Sequence, residues 1–310
     1  MEKVSPVLPS GRQIEIRHAE QTAVVTEVGA GLRTYQRGKW EILDGYPADR
    51  YCHAGRGQLL LPWPNRLRDG RYDFGGSSQQ LALTEPSRGH AIHGLTRYAT
   101  WSVDQVAEDH CRLSYLLHPQ PGYDFTLALA AEFRVGPEGL TVTITAENQG
   151  REVLPYAAGA HPYLRLDDRG VDPWLLRVPA RVTMEADDRA IPTGRLLPVA
   201  GTDFDFTSQR PIGAVELDTC FTELERGSDG LAWMELDSPD GQRRLRVWLT
   251  PDHPYLMLFT GDSLAPEERR RSLGVEPMTA APNAFQNLLG LRTIEPGESV
   301  RTSWGVESFD

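Results

Sequence analysis

The chain of 310 residues is 40% hydrophobic and 24% charged, which excludes a disordered or fibrous protein and supplies enough apolar side chain for a sizeable core without staples. Its formal charge of −11 sets most of the surface against nucleic acid and anionic lipid, so a small molecule, neutral or locally steered, is the expected partner. Cys52, Cys111 and Cys220 are odd in number, far apart and free of any C-x-x-C spacing, which argues against a disulfide framework or a zinc knuckle and points to a reducing compartment.

The opening Met1-Glu2-Lys3-Val4-Ser5-Pro6 has no apolar signal region, and no apolar run reaches the roughly 18 residues of a membrane span, so the expected location is the cytoplasm. With 29 Gly and 23 Pro scattered along the chain, long helices have little room. Strands are expected at Arg12–Arg17, Thr22–Val28 and Leu127–Val135. Leu140–Ala146 then alternates apolar and hydroxyl residues, as a half-buried antiparallel strand does. Ala232–Leu236, Arg244–Leu249 and Tyr255–Thr260 continue the series. Pro266–Arg271 reads as one exposed helical turn with a proline at its first position and a solvated arginine run. No repeat, linker or composition shift divides the chain, so a single all-β domain over 1–310, a large and mostly antiparallel sandwich, is the expectation.

Five short segments carry most of the chemistry: Gly57–Arg66, Ala91–Leu95, Gly159–Tyr163, Leu217–Thr222 and Gly274–Met278. Most set an ionisable side chain beside Gly or Pro, where a strand ends and a loop presents a group to a ligand. Taken singly, each has a plainer explanation. Glu276 would be a strand-end carboxylate in an ion pair, His161 a core histidine held extended by Pro162, and His93 a structural turn residue. Arg66 would cap a strand or pair with Asp69, and Asp218 would make a local turn bond.

In this order, Pro62-Trp63-Pro64-Asn65-Arg66, His93-Gly94, His161-Pro162-Tyr163, Asp218-Thr219-Cys220-Phe221 and Glu276-Pro277-Met278 resemble the motif succession of the aldose 1-epimerase (galactose mutarotase) family. The resemblance implies a β-supersandwich, no metal or organic cofactor, and interconversion of the α and β anomers of a free aldose. It makes Glu276 the base and His161 the acid, with Arg66, His93, Asp218, Asn65 and Trp63 at the substrate. Leu164 departs from the phenylalanine common in the family, and the Trp63 version of the first motif is similar to a bacterial sub-group that includes mutarotases of the sulfoquinovose pathway. A monomer or homodimer without nucleic-acid or membrane partners is expected.

The chemistry accounts for these residue types. Opening a hemiacetal removes the C1 hydroxyl proton while a proton is delivered to the ring oxygen, so a base and an acid must flank one edge of the sugar. A carboxylate and an imidazole suit those tasks near neutral pH. Trp63, Tyr163 and Phe285 stand near the motifs as candidate stacking platforms for a sugar face. Three rivals remain: a metal chelated by His90-x-x-His93 with His161 and Glu276, a non-catalytic sugar binder, and the same chemistry on an anionic sugar such as sulfoquinovose or a hexose 6-phosphate. In the last case Arg56 or Arg97 would hold the anion, with Arg56 the first choice.

Overall fold

Alternation decides the architecture. In the strand Gly139–Asn148 the side chains of Leu140, Val142, Ile144 and Ala146 are buried, while Thr141 and Thr145 lie half-exposed between them. Arg244–Leu249 repeats the pattern with Leu245, Val247 and Leu249 inward. Chains patterned in this way pair side by side and bury one face. The computed structural model describes residues 7–310, and its two large sheets are antiparallel throughout.

The nine-stranded sheet runs in the order Ser102–Val106, His110–Leu117, Leu127–Gly136, Gly139–Asn148, Ser299–Phe309, Arg244–Leu249, Ala232–Asp237, Leu175–Arg177, Arg210–Pro211. The second sheet runs Pro192–Pro198, Ala180–Ala186, Asp218–Leu224, Tyr255–Phe259, Leu273–Met278, Gly159–Ala160, Leu59–Leu60, and Tyr163–Leu164 also pairs with Leu273–Met278. Phe133, Val142, Val247 and Val306 from the first sheet share one continuous apolar core with Phe221, Leu256, Leu258 and Val275 from the second. A four-stranded N-terminal sheet adds Ile14, Ile16, Val25 and Tyr35 to the same core. This is the expected all-β, mostly antiparallel sandwich, and the expected strands recur with ends shifted by a residue or two. Thr22–Val28 stops at Thr26, whose hydroxyl donates to the Val28 carbonyl and whose amide turns back to Gly31.

Pro266–Arg271 is a correction. The amides of Glu268 and Arg269 both reach the Ala265 carbonyl, but Arg270 takes a left-handed φ of 53° and no helix propagates. Its arginines are not simply solvated either, since Arg270 lies 2.6 Å from Asp172 and 2.8 Å from Asp262. The one helix among the described residues is Ala284–Asn287, and no helix there is long and apolar enough to cross a membrane.

Ile144 is buried on an interior strand of the nine-stranded sheet, so Ile144→Ala is expected to lower unfolding free energy by about 2–5 kcal/mol. The change should be read as a fall in urea midpoint at constant m-value. A midpoint equal to that of the wild type would contradict the assignment of this strand to the core.

Candidate active site

The strand Leu273–Met278 is buried at every position and lies inside the second sheet. Its side chains alternate, so Leu273 and Val275 join the common core while Glu276 and Met278 face the other way. Register carries the same face across to the neighbours: Glu276 opposes Met257, which opposes Cys220, and Gly274 opposes Phe259, which opposes Asp218. Glu276 therefore stands beside a small cluster of Met184, Cys220, Met257 and Met278. Such surroundings desolvate a carboxylate. Burial, reinforced by the negative charge of Asp218 and opposed by Arg66, pushes the Glu276 carboxyl well above its ordinary range.

His161 lies where the chain leaves Gly159–Ala160 and returns as Tyr163–Leu164, both paired with the strand of Glu276. Between them its amide donates to Gln58 and its carbonyl accepts from Gly57, so a second segment holds its backbone. The imidazole is stacked on Tyr163, with centroids 4.8 Å apart and planes at 12°, and meets His93 edge-on at 5.5 Å. Its Nε2 is 3.3 Å from Glu276 Oε1. Gly55, at φ 75°, permits this placement, because a Cβ there would lie 2.9 Å from His161 Cδ2. Burial, with the field of Arg97, Arg56 and Arg66, holds the His161 imidazole far below its ordinary pKa.

His93 and Asn65 both have left-handed backbones, at φ 62° and 55°, and hold one another. The Asn65 amide donates to His93 Nδ1 at 3.1 Å and the His93 amide donates to the Asn65 carbonyl at 3.0 Å. An Nδ1 that accepts leaves the proton of the neutral ring on Nε2, so His93 offers an N–H donor beside the pair. Burial, then the charges of His161, Arg97 and Arg66, keep this ring neutral as well. Arg66 spends two nitrogens on Glu85, at 2.8 and 3.1 Å, and turns Nη1 toward Asp218 at 4.0 Å. Asp218 is the solvent-facing member, with 41% of its side chain exposed.

Glu276, His161, His93, Arg66 and Asp218 thus form one group. Other expected residues are used differently. Asn65 spends its side-chain oxygen on the Arg66 amide and its backbone on His93, so it positions both. Trp63 is buried and packs on Phe285 at 5.4 Å, and Phe285 packs in turn on Tyr72 at 4.9 Å, so neither indole nor phenyl is a free platform. Tyr163 has both faces taken, by His161 and by the Arg56 guanidinium at 4.5 Å. Arg56 itself is enclosed between Asp44 and Glu268, which removes it as an anion reader. Arg66 pairs with Glu85 and not with Asp69, whose partner is Arg189. Glu85 was not apparent from sequence; its place before Pro86 was the only signal.

The metal reading loses one ligand, because His90 Nδ1 accepts from the Asp69 amide and Nε2 lies 3.2 Å from the Arg189 carbonyl. His93, His161 and Glu276 still bring ligand atoms within 4.8 Å of one another. The arginine field that disfavours an imidazolium there also opposes a dication.

What the arrangement can do follows from proton counting. Burial favours neutral Glu276 and neutral His161, where the sequence suggested a carboxylate and an imidazolium. Both descriptions contain one proton on the pair and differ only in its position across 3.3 Å. Glu276 Oε2 and His161 Nδ1 are buried with no hydrogen-bond partner among the described residues, a costly condition unless a bound polar ligand supplies one.

Residues 12–306 match the family model described as aldose 1-epimerase. The chain is 31% identical to the uncharacterized Escherichia coli K12 protein YihR over 96% of this chain and 93% of that one. A GalM/aldose epimerase homologue from C. elegans superposes with a TM-score of 0.86 at 20% identity, covering 96% of this chain and 98% of the other. Galactose 1-epimerase from Lactobacillus acidophilus gives 0.78 at 20% identity over 95% and 93% of the two chains.

The lowered imidazole pKa values carry a sign: each ring takes a second proton only below the ordinary histidine range. Long-range ¹⁵N–¹H NMR of histidine-labelled protein should therefore show both rings neutral near pH 6, with His93 as the Nε2–H tautomer. Imidazolium shifts for both residues at that pH would refute the neutral state of the two rings.

Proposed function

The chain belongs to the aldose 1-epimerase family, and from that premise we propose that it interconverts the α and β anomers of a free aldohexose by opening and reclosing the hemiacetal. The observation that carries this reading is the buried pair of Glu276 and His161, 3.3 Å apart, with an unpartnered oxygen on one and nitrogen on the other.

Hydroxyl groups of a bound sugar donating to Glu276 favour its ionised form and move the shared proton to His161. Glu276 then removes the proton of the anomeric hydroxyl while His161 delivers one to the ring oxygen, and the C1–O5 bond breaks. This leaves an aldehyde, a free C5 hydroxyl and a pair in its neutral form. After rotation about C1–C2, His161 takes the C5 hydroxyl proton and Glu276 returns one to the carbonyl oxygen, closing the ring on the other face. The same pair serves both directions and ends each cycle with the proton count it began with. His93 Nε2–H, Arg66 and Asp218 are suited to hold ring hydroxyls, one as a pure donor, one as a cation and one as an acceptor.

A second reading, an anionic substituent at C6 such as a sulfonate or phosphate, is favoured by Arg97. Its charge acts on both His93 and His161, yet no carboxylate lies within ion-pair distance of it among the described residues. Its guanidinium contacts the Ile92 carbonyl at 3.2 Å and the Tyr98 ring at 5.4 Å. A mostly buried arginine with no counter-ion is a place where an anion gains a charge-assisted hydrogen bond.

Polarimetry on freshly dissolved α-glucose, α-galactose and the C6-sulfonated sugar tests the reading. Glu276→Gln and His161→Asn should each lower turnover by roughly 10²–10⁴-fold with unchanged circular dichroism. Near-wild-type turnover in Glu276→Gln would remove the assigned base. Arg97→Met should reduce the anionic-to-neutral ratio of kcat/KM by about one to two decades, matching a contact of about 1.5–3 kcal/mol. An unmoved ratio would rule out the anionic reading.

A further inference from the structure

Arg56 is a buried cation that touches no candidate substrate group, and its surroundings are elaborate. Its Nη1 donates to Asp44 Oδ2 at 3.0 Å and its Nη2 lies 3.3 Å from Glu268 Oε1. Asp44 in turn accepts from the Ser272 hydroxyl at 2.8 Å and pairs with Arg271 at 3.0 Å, while Glu268 meets His53 at 2.6 Å. Two distant stretches of chain, 44–56 and 268–272, are thereby tied together by charge.

The guanidinium so fixed lies over one face of the Tyr163 ring, and the His161 imidazole is stacked on that ring as well. The tyrosine hydroxyl donates to the Ala54 carbonyl at 2.8 Å, which anchors the far end of the ring. The His161 imidazole thus rests on a plate with three restraints: a cation, a hydrogen bond and the paired strand beneath it. A cation over a tyrosine face is attracted by the ring quadrupole, and the desolvated setting strengthens that attraction.

We propose that Arg56 is a positioning residue for His161, acting through the Tyr163 ring to hold the imidazole in line with Glu276. The proposal rests on the acid–base reading above and gives Arg56 a role different from anion recognition. Proton transfer depends on small displacements, so a loosened plate costs rate before it costs binding. Charge contributes too. His161 faces Glu276 from the neighbouring strand, His93 from the turn after His90–Ile92, Tyr163 from its own segment, and the Arg56, Arg66 and Arg97 guanidiniums through the field. Among these Arg56 is the cation stacked behind the plate, where it opposes a second proton on the pair.

The test uses full-length protein with Arg56→Met, Arg56→Lys and Tyr163→Leu, following kcat, KM, pH dependence and His161 ¹⁵N shifts. Arg56→Met should lower kcat by about 10- to 100-fold with KM nearly unchanged, and Tyr163→Leu should do the same. The acid limb of kcat should move to higher pH in Arg56→Met, and Arg56→Lys should restore much of both properties. If Arg56→Met fails to fold, Tyr163→Leu and Arg56→Lys still decide, since both leave a cation between Asp44 and Glu268. The proposal is overturned if the variants keep wild-type kcat, or if activity falls with the pH profile and the His161 resonances unmoved. The NMR readout needs no turnover, so loss of the anomerisation reading and loss of the positioning role give different results.

Discussion

A carboxyl group in the middle of a strand with no exposed residue is the constraint on which this molecule turns. Glu276 cannot remain there as a lone anion, because desolvation in such a setting costs several kcal/mol. The remedy is a shared proton. With His161 at 3.3 Å one proton keeps the net charge of the pair at zero wherever it sits, and burial favours the form in which both groups are neutral. The burial that makes Glu276 expensive also makes a small geometric change decisive for which atom holds the proton.

Keeping the imidazole neutral then dictates its neighbours. Cations are placed at several distances around His161, and aromatic faces fill the space that a water shell would otherwise occupy. Glycine appears where the ring needs clearance, at Gly55, and left-handed backbones appear where His93 must present a donor, at Asn65 and His93. Non-glycine residues at positive φ cost conformational energy and persist when surrounding contacts over-determine them, which the reciprocal bonds between Asn65 and His93 do. Strain at that corner is accordingly better understood as part of the donor's aim than as an accident of the turn.

Sequence made the scaffold legible because its signal is local. Leu140, Val142, Ile144 and Ala146 alternate within one strand, and period two is enough to assign a buried face. Glu276, His161, His93, Arg66 and Asp218 were singled out by the motif succession that resembles the aldose 1-epimerase family, since local context alone gave each a plainer explanation. What escaped was every feature created by distant segments meeting. Arg56 resembled a free cation in Gly55-Arg56-Gly57 because Asp44 and Glu268 lie in other stretches of chain. Tyr163 resembled a sugar platform because nothing local reveals that both its faces are covered. Pro266 suggested a helical turn, but Arg270 is drawn onto Asp172 and Asp262 and its backbone leaves the helical region.

The same distinction explains why net charge misleads about the site. A surface carrying −11 repels anions at range, but screening confines that effect to roughly 8 Å at physiological salt. Inside the site the balance is set by which arginines are already paired. Arg66 is paired with Glu85 and Asp218, and Arg56 with Asp44 and Glu268, yet both still act on His161, whereas Arg97 has no carboxylate within ion-pair distance among the described residues. An acidic protein can therefore surround buried imidazoles with a locally positive field, because the arginines Arg97, Arg56 and Arg66 act at short range while most of the acidic residues lie elsewhere on the chain.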